Sequence, residues 1–189
     1  MRQPKLLLPW GETTILGRQV DVWRQLSTVR QTAVVCAAAD EAMRAELDRL
    51  KIAASDRILN PCPERGMFSS VRCAAQWSGW EAGLTHWAIS LGDQPHLRPE
   101  TLRRLVETSA ARPEQICQPQ FRGRAGHPVL LPKNSFLMLR ETGAGTLKEF
   151  LETLAADVVT CEVDDPGLDF DIDTPADYER ALAVFLRPR

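Results

Sequence analysis

The sequence has no long apolar run, no excess of charge of either sign and no paired cysteines, and each absence removes a class of protein. No stretch approaches the roughly eighteen apolar residues that a membrane-spanning helix requires, and the opening residues lack the charged-then-apolar pattern of a secretion signal, which points to the cytoplasm. Lysine and arginine number 23 against 25 acidic residues, for a formal net charge of -2. No broad field therefore gathers nucleic acid or an anionic membrane surface, and any anionic ligand has to be held locally. The five cysteines, Cys36, Cys62, Cys73, Cys117 and Cys161, stand singly. With no C-x-x-C pair and no histidine at metal-ligand spacing, a structural zinc site or disulfide framework is not expected. Internal repeats, low-complexity tracts and linkers are missing as well.

What is present is the composition of a folded chain: 189 residues, 44% hydrophobic and 25% charged. That length suits a single domain over residues 1–189, able to bury roughly 70% of the surface of its unfolded chain. Apolar residues at helical spacing, with Thr13 or Thr14 as N-cap, predict a helix over 13–26. "TAVVCAA" (32–38) reads as a buried strand, and Asp40 caps the helix "EAMRAELDRL" that follows it. "RILN" is a short strand ending at Asn60, and a turn leads to a helix over about 67–77. "THWAISL" is the next strand, followed by Gly92, Asp93 and a helix opened by Pro99. "QICQP", "HPVLL" and "DVVTCEV" read as further strands, with helices around 135–140, 146–154 and 175–186. Strands alternating with helices, each strand buried on both faces, predict a three-layer α/β/α sandwich, Rossmann-like, with a mostly parallel mixed sheet. Ligands of such sheets bind beyond the carboxyl ends of the strands, where Asp93 is expected.

Four segments could carry chemistry. "LGDQP" has two readings: a strand-exit turn in which Gly, Asp and Pro each serve the backbone, or a carboxylate held at the mouth of the sheet. In "DFDIDTPADYE", Thr174, Pro175 and Asp177 suffice to start a helix, but they leave Asp169, Asp171 and Asp173 unexplained. In an extended segment Asp171 and Asp173 point to the same side. Two like charges there repel unless a cation lies between them or water screens them. If that segment ends beside Asp93, the group suits a hard divalent ion such as Mg²⁺, which takes one or two carboxylates together with phosphate oxygens and water. In "NPCPERGMFSSV", Gly66 precedes a helix whose first turn holds Ser69 and Ser70; it is either an ordinary helix start or an anion site. "RGRAGHPVLL" brings two arginines, Gly126 and His127 to the entrance of a strand, where a lone histidine is more often structural than catalytic.

The fragments "PKLLLPWG", "NPCPERGMFSS", "LGDQP", "GHPVLL" and "DIDTPADY", in this order, resemble the nucleotidyltransferases of the molybdenum cofactor cytidylyltransferase type, over nearly the whole chain. The resemblance implies a GT-A type nucleotidyltransferase fold. It also implies Mg²⁺-dependent transfer of a nucleoside monophosphate, CMP from CTP above all, to a phosphorylated acceptor such as molybdopterin, with release of pyrophosphate. By that resemblance Asp93 and Asp173, with Asp171 as a further candidate, would hold Mg²⁺, and Lys5 would neutralise phosphate charge. Asn60, Gly66, Ser69 and Ser70, together with Gly126 and His127, would shape the nucleotide and acceptor pockets. Transfer to a sugar phosphate or another small phosphorylated acid, and an inactive or purely nucleotide-binding remnant, are the alternatives.

The family pattern opens with an apolar strand and a glycine-rich loop that ends in Met-Gly-x-Pro-Lys. Here Met1, Pro4 and Lys5 match its tail, Arg2 stands where the pattern has glycine, and the first strand is missing. A gap in the middle of the sheet is therefore expected, to be filled by a longer natural chain, by a partner's strand, or not at all in an inactive copy.

Overall fold

The computed structural model describes residues 4–186; Met1 and Arg2, set against the glycine-rich loop above, lie outside the described residues. A 3-10 turn at Lys5–Leu7 leads into a small hairpin of β1 (Pro9–Trp10) and β2 (Thr13–Thr14) and then α1 (Ile15–Arg24). The order continues β3 (Val34–Ala37), α2 (Glu41–Arg49), β4 (Arg57–Asn60), α3 (Met67–Gln76), β5 (His86–Ile89), α4 (Pro99–Ala111), β6 (Ile116–Phe121), β7 (Arg124–Ala125), β8 (Val129–Pro132), α5 (Lys133–Met138), α6 (Leu147–Thr153), β9 (Val158–Glu162) and α7 (Pro175–Phe185).

Short polar side chains cap α1, α2, α6 and α7, three of them at caps expected from the sequence (Thr13 or Thr14, Asp40 and Thr174), while α3 and α5 have no side-chain cap. Thr14 accepts from Gly17 N, Asp40 from Met43 N and Thr146 from Glu149 N, each satisfying an orphan donor of a first turn. Thr174 and Asp177 form a capping box on α7, with Pro175 at its first position. α4 has no cap of its own. Its first-turn groups, Arg98 N and Thr101 Oγ1, are bonded instead by the distant carboxylate of Asp165.

β6 is the hub of a five-stranded sheet. It pairs parallel with β9 and antiparallel with β8 and β7, while β5 pairs antiparallel with β8. β5, β6 and β9 therefore share one direction, and "HPVLL" (β8) runs against them, which makes the sheet mixed. Alternation along the strands builds three layers. Ile116, Val129 and Leu131 face a cluster with Phe68 and Val71 of α3, Phe136 of α5 and Phe150 of α6. Their neighbours Cys117 and Leu130 face Leu105 of α4 and Cys161.

Among the described residues β3 pairs only with β4, in parallel, and β5 only with β8. Helices and side chains hold the two sheets together. α3 packs on β3 and β4 while contributing to the cluster around Trp87 of β5. Gln19 of α1 donates to Ser90 Oγ and Leu91 O at 2.6 and 3.0 Å. Gln31 donates to Gly79 O at 3.0 Å and accepts from Glu81 N at 2.9 Å. Burial on both faces holds for β8 but not for β5, where Ala88 is exposed, nor for β3, where Val34 and Val35 are half-buried. Among the described residues each of these two strands has one edge without a neighbour. The five cysteines are free thiols.

Candidate active site

β5 ends at Ile89, and its chain continues through Gly92 into a turn closed by Leu97 N donating to Gln94 O. Gly92 permits a close crossing: a Cβ there would stand 3.3 Å from Leu6 Cδ2, tighter than packing normally allows. That approach brings the Lys5–Leu7 turn against the end of β5. Lys5 Nζ lies 2.7 Å from Asp93 Oδ2 and 3.0 Å from Asp173 Oδ1. Two carboxylates from opposite halves of the chain thus converge on one cation. Burial alone would lower the Lys5 pKa, but the hydrogen bonds and charges of Asp93 and Asp173 outweigh it and hold the ammonium above its usual range. Asp171 is exposed and makes no ion pair or hydrogen bond among the described residues, although buried Ile172 between the two aspartates keeps the expected alternation.

His127 enters the same neighbourhood from β8. Its Nδ1 is 3.3 Å from Ile89 O, and the peptide to Pro128 is cis. Burial pushes the His127 imidazole pKa down, opposed by the Ile89 carbonyl and by the charge of Asp93. Gly126 closes against Leu168, whose Cδ2 would be 3.2 Å from an added Cβ. On the preceding hairpin Arg124 sits 3.6 Å from Asp169.

Asn60, Gly66, Ser69 and Ser70 form a separate cluster at the end of β4. The fully buried Asn60 donates to Ser69 Oγ and Ser70 Oγ at 2.8 and 3.0 Å and accepts from Cys62 N at 2.9 Å. Ser69 also donates to Gly66 O at 2.7 Å. These side chains fold the loop onto the start of α3. Among the described residues no hydrogen bond links this cluster to Lys5, Asp93 or Asp173.

Two further residues escape sequence reasoning. His96, three residues after Asp93, is buried with its Nε2 3.0 Å from Gly167 O. Asp165, also buried, accepts from Arg98 N, Thr101 Oγ1 and Gly167 N. The "DDPG" run carries a turn signal, but nothing local says that its second aspartate serves a helix start 67 residues earlier. Two clefts flank this turn. One of about 1050 Å³ is lined by Trp10, Arg18, Arg49 and His96 among others, and one of about 580 Å³ by Arg98, Arg104 and Glu162 among others. Neither contains Asp93 or Asp173. Among the described residues no helix is long and apolar enough to cross a membrane.

The sequence profile of the MobA-like NTP transferase domain matches residues 1–159. No curated protein matches the chain by sequence. Among solved structures, the Mycobacterium sp. strain JC1 homolog of Mycobacterium tuberculosis Rv0371c superposes with TM-score 0.76 at 26% identity, covering 99% of this chain and 90% of that one. Rv0371c of M. tuberculosis H37Rv, solved as a complex with manganese, gives TM-score 0.68 at 27% identity, over 96% and 92% of the two chains. Molybdopterin-guanine dinucleotide biosynthesis protein A from Archaeoglobus fulgidus shares the fold with TM-score 0.67 at 18% identity, over 95% of this chain and 89% of that one. With the profile spanning most of its length, the chain belongs to the MobA-like NTP transferase family and is a nucleotidyltransferase.

Proposed function

We propose that the chain is a single domain that transfers CMP from CTP to a phosphorylated acceptor such as molybdopterin, in the cytoplasm, with Mg²⁺ held by Asp93 and Asp173. The observation that carries this reading is the convergence of those two carboxylates within 3.0 Å of one ammonium nitrogen. The donor set is two hard anionic oxygens aimed at a single cation, which fits an ion that keeps its waters and completes its shell with phosphate oxygens. The manganese bound by the mycobacterial relative supports the choice of a divalent ion.

An acceptor phosphate oxygen attacks the α-phosphorus of the nucleotide, the bond to the bridging oxygen breaks, and pyrophosphate leaves with the electron pair. No covalent enzyme intermediate is required, so this chain's residues act by alignment and by neutralising charge. A divalent ion, if held by Asp93 and Asp173, would supply Lewis-acid polarisation of the phosphates. Lys5, kept protonated by its two aspartate neighbours, places a second positive charge where pyrophosphate charge develops. His127, whose imidazole pKa is pushed down by burial against the Ile89 carbonyl and the charge of Asp93, is biased toward the uncharged ring. The folded loop at Asn60, Ser69 and Ser70 shapes the nucleotide side, and Gly126 with His127 the acceptor side.

The test is pyrophosphate release with each nucleoside triphosphate against molybdopterin, sugar phosphates and other phosphorylated acids, alongside Asp93→Asn. The expected result is CTP-dependent release that falls by about 10²-fold or more in the variant, the scale on which lost transition-state charge stabilisation registers. Release by Asp93→Asn at the unmodified rate refutes the metal assignment, and a preference for another base or acceptor replaces CTP or molybdopterin.

A further inference from the structure

A few residues along the chain from Asp93 and from Asp173 lies a buried polar cluster that the chemistry above does not use. His96 stands three residues after Asp93, and its Nε2 is 3.0 Å from the carbonyl of Gly167, 71 residues on. Its ring stacks on Phe185 of α7 at 4.9 Å and meets Phe170 edge-on at 5.4 Å, with Trp10 at 6.3 Å. Asp165 makes a second tie between the same two segments. Its Oδ2 accepts from Arg98 N at 3.0 Å and Thr101 Oγ1 at 2.6 Å, while its Oδ1 accepts from Gly167 N at 3.0 Å. The contact surface admits no spare atom, since a Cβ on Gly167 would lie 2.9 Å from His96 Cδ2 and 3.0 Å from Asp165 Oδ1.

We infer that His96 and Asp165 form a clasp that joins the turn carrying Asp93 to the segment carrying Asp173, and that both are positioning residues which set the separation of the two carboxylates. A buried carboxylate is tolerated only with its full set of donors, and a slip between the two segments leaves it unpaired in a medium that does not solvate its charge. Such a network specifies one register where an apolar contact would tolerate neighbouring ones. The tethers from clasp to site are short: three residues from His96 to Asp93 and six from Gly167 to Asp173, the latter pinned by fully buried Ile172. A shift at the clasp therefore reaches the carboxylates with little slack. His96 donates through Nε2 to the Gly167 carbonyl while its buried Nδ1 meets no hydrogen-bond partner among the described residues, so the ring holds one tautomer against Gly167.

The consequence for metal binding rests on the function proposed above; the clasp itself does not. Two measurements keep them apart. Hydrogen exchange on the metal-free protein compares His96→Ala, His96→Gln and Asp165→Asn with the unmodified chain. Mn²⁺ affinity, followed by the paramagnetic signal of the free ion, is then measured on the same variants. Leu139→Ala, a core change away from the clasp, serves as a control for lost stability. Expected are faster amide exchange at both 93–98 and 165–173 in His96→Ala and Asp165→Asn, and Mn²⁺ affinity lowered about tenfold. His96→Gln, which retains a donor near the Nε2 position, recovers part of both, and Leu139→Ala lowers the melting temperature but leaves Mn²⁺ affinity unchanged. Loosening of only one segment, Mn²⁺ affinity unchanged in the loosened variants, or an equal loss of affinity in Leu139→Ala overturns the inference. Failure of the unmodified chain to bind Mn²⁺ overturns the metal role and its positioning, while the exchange result still decides whether the clasp exists.

Discussion

The ammonium of Lys5 lies 3.0 Å from the carboxylate of Asp173, across 168 residues of chain. Because the same nitrogen is 2.7 Å from Asp93, Lys5 occupies the point toward which both carboxylates are directed and relieves the repulsion they would otherwise feel. On the metal role proposed for Asp93 and Asp173, an incoming divalent ion would have to compete with that ammonium. Lys5→Met is therefore expected to raise Mn²⁺ affinity severalfold when nucleotide is absent, yet to lower turnover about 10²-fold because a positive charge is lost from the transition state. Titration and steady-state kinetics on one preparation read both signs. A variant that weakens metal binding and turnover together contradicts the competition.

The two aspartates of "DIDTP" are expected to separate cleanly. Asp173 contacts Lys5, whereas Asp171 is exposed with no partner among the described residues. Asp173→Asn should lower turnover by about 10²-fold, and Asp171→Asn should leave it within about twofold. Both positions are exposed, so neither substitution should alter the melting temperature appreciably. Equal losses of turnover would mean that Asp171 shares the ion.

Most of the fold was legible because the signals are local. Apolar runs marked every strand from β3 onward except the two-residue β7, and Thr14, Asp40, Thr146 and Thr174 marked helix starts that the structure confirms. β1, β2 and β7 went unread because each is two residues long, too short for any periodicity, and the residues of β2 were assigned to the helix that follows. The antiparallel run of β8 and the exposure of Ala88 could not be read, since direction and edge position depend on which strands become neighbours. In the site, the residue types of Asp93 and Asp173 were readable, and their convergence was not. His96 and Asp165 were invisible for the same reason: their partners are 71 and 67 residues away.

Asn60 should act on stability before chemistry. Its side chain is almost completely buried and spends both ends on Ser69, Ser70 and the Cys62 amide. Asn60→Ala strands these groups and is expected to cost about 1–3 kcal/mol in a denaturant titration. It should also raise the KM for nucleotide, because the loop loses the bonds that fold it onto α3. A stability change with no effect on KM would leave the cluster a purely structural role.

Glu46 sets a pH dependence of stability at a site that shares no hydrogen bond with Lys5, Asp93 or Asp173 among the described residues. It is buried at the join of α1 and α2, accepting from Arg49 Nε and Nη2 at 2.7 and 2.6 Å and from Thr14 Oγ1 at 2.5 Å. The Arg49 hydrogen bonds lower its pKa, burial opposes them, and Thr14 adds to the lowering, so the carboxyl titrates below its ordinary 4.5. A depressed carboxyl contributes stability that is fully present above the unfolded value and lost as pH falls through the folded one. The unmodified protein should therefore lose this contribution below about pH 4.5, the ordinary value. Glu46→Gln should be less stable by about 1.5–3 kcal/mol at neutral pH, the range for a hydrogen bond to a charged group. The gap between the two proteins should narrow steadily in acid. Urea titrations from pH 7 down to about 3 follow it, and a gap that stays constant across that range would show that the Glu46 charge does not stabilise the join.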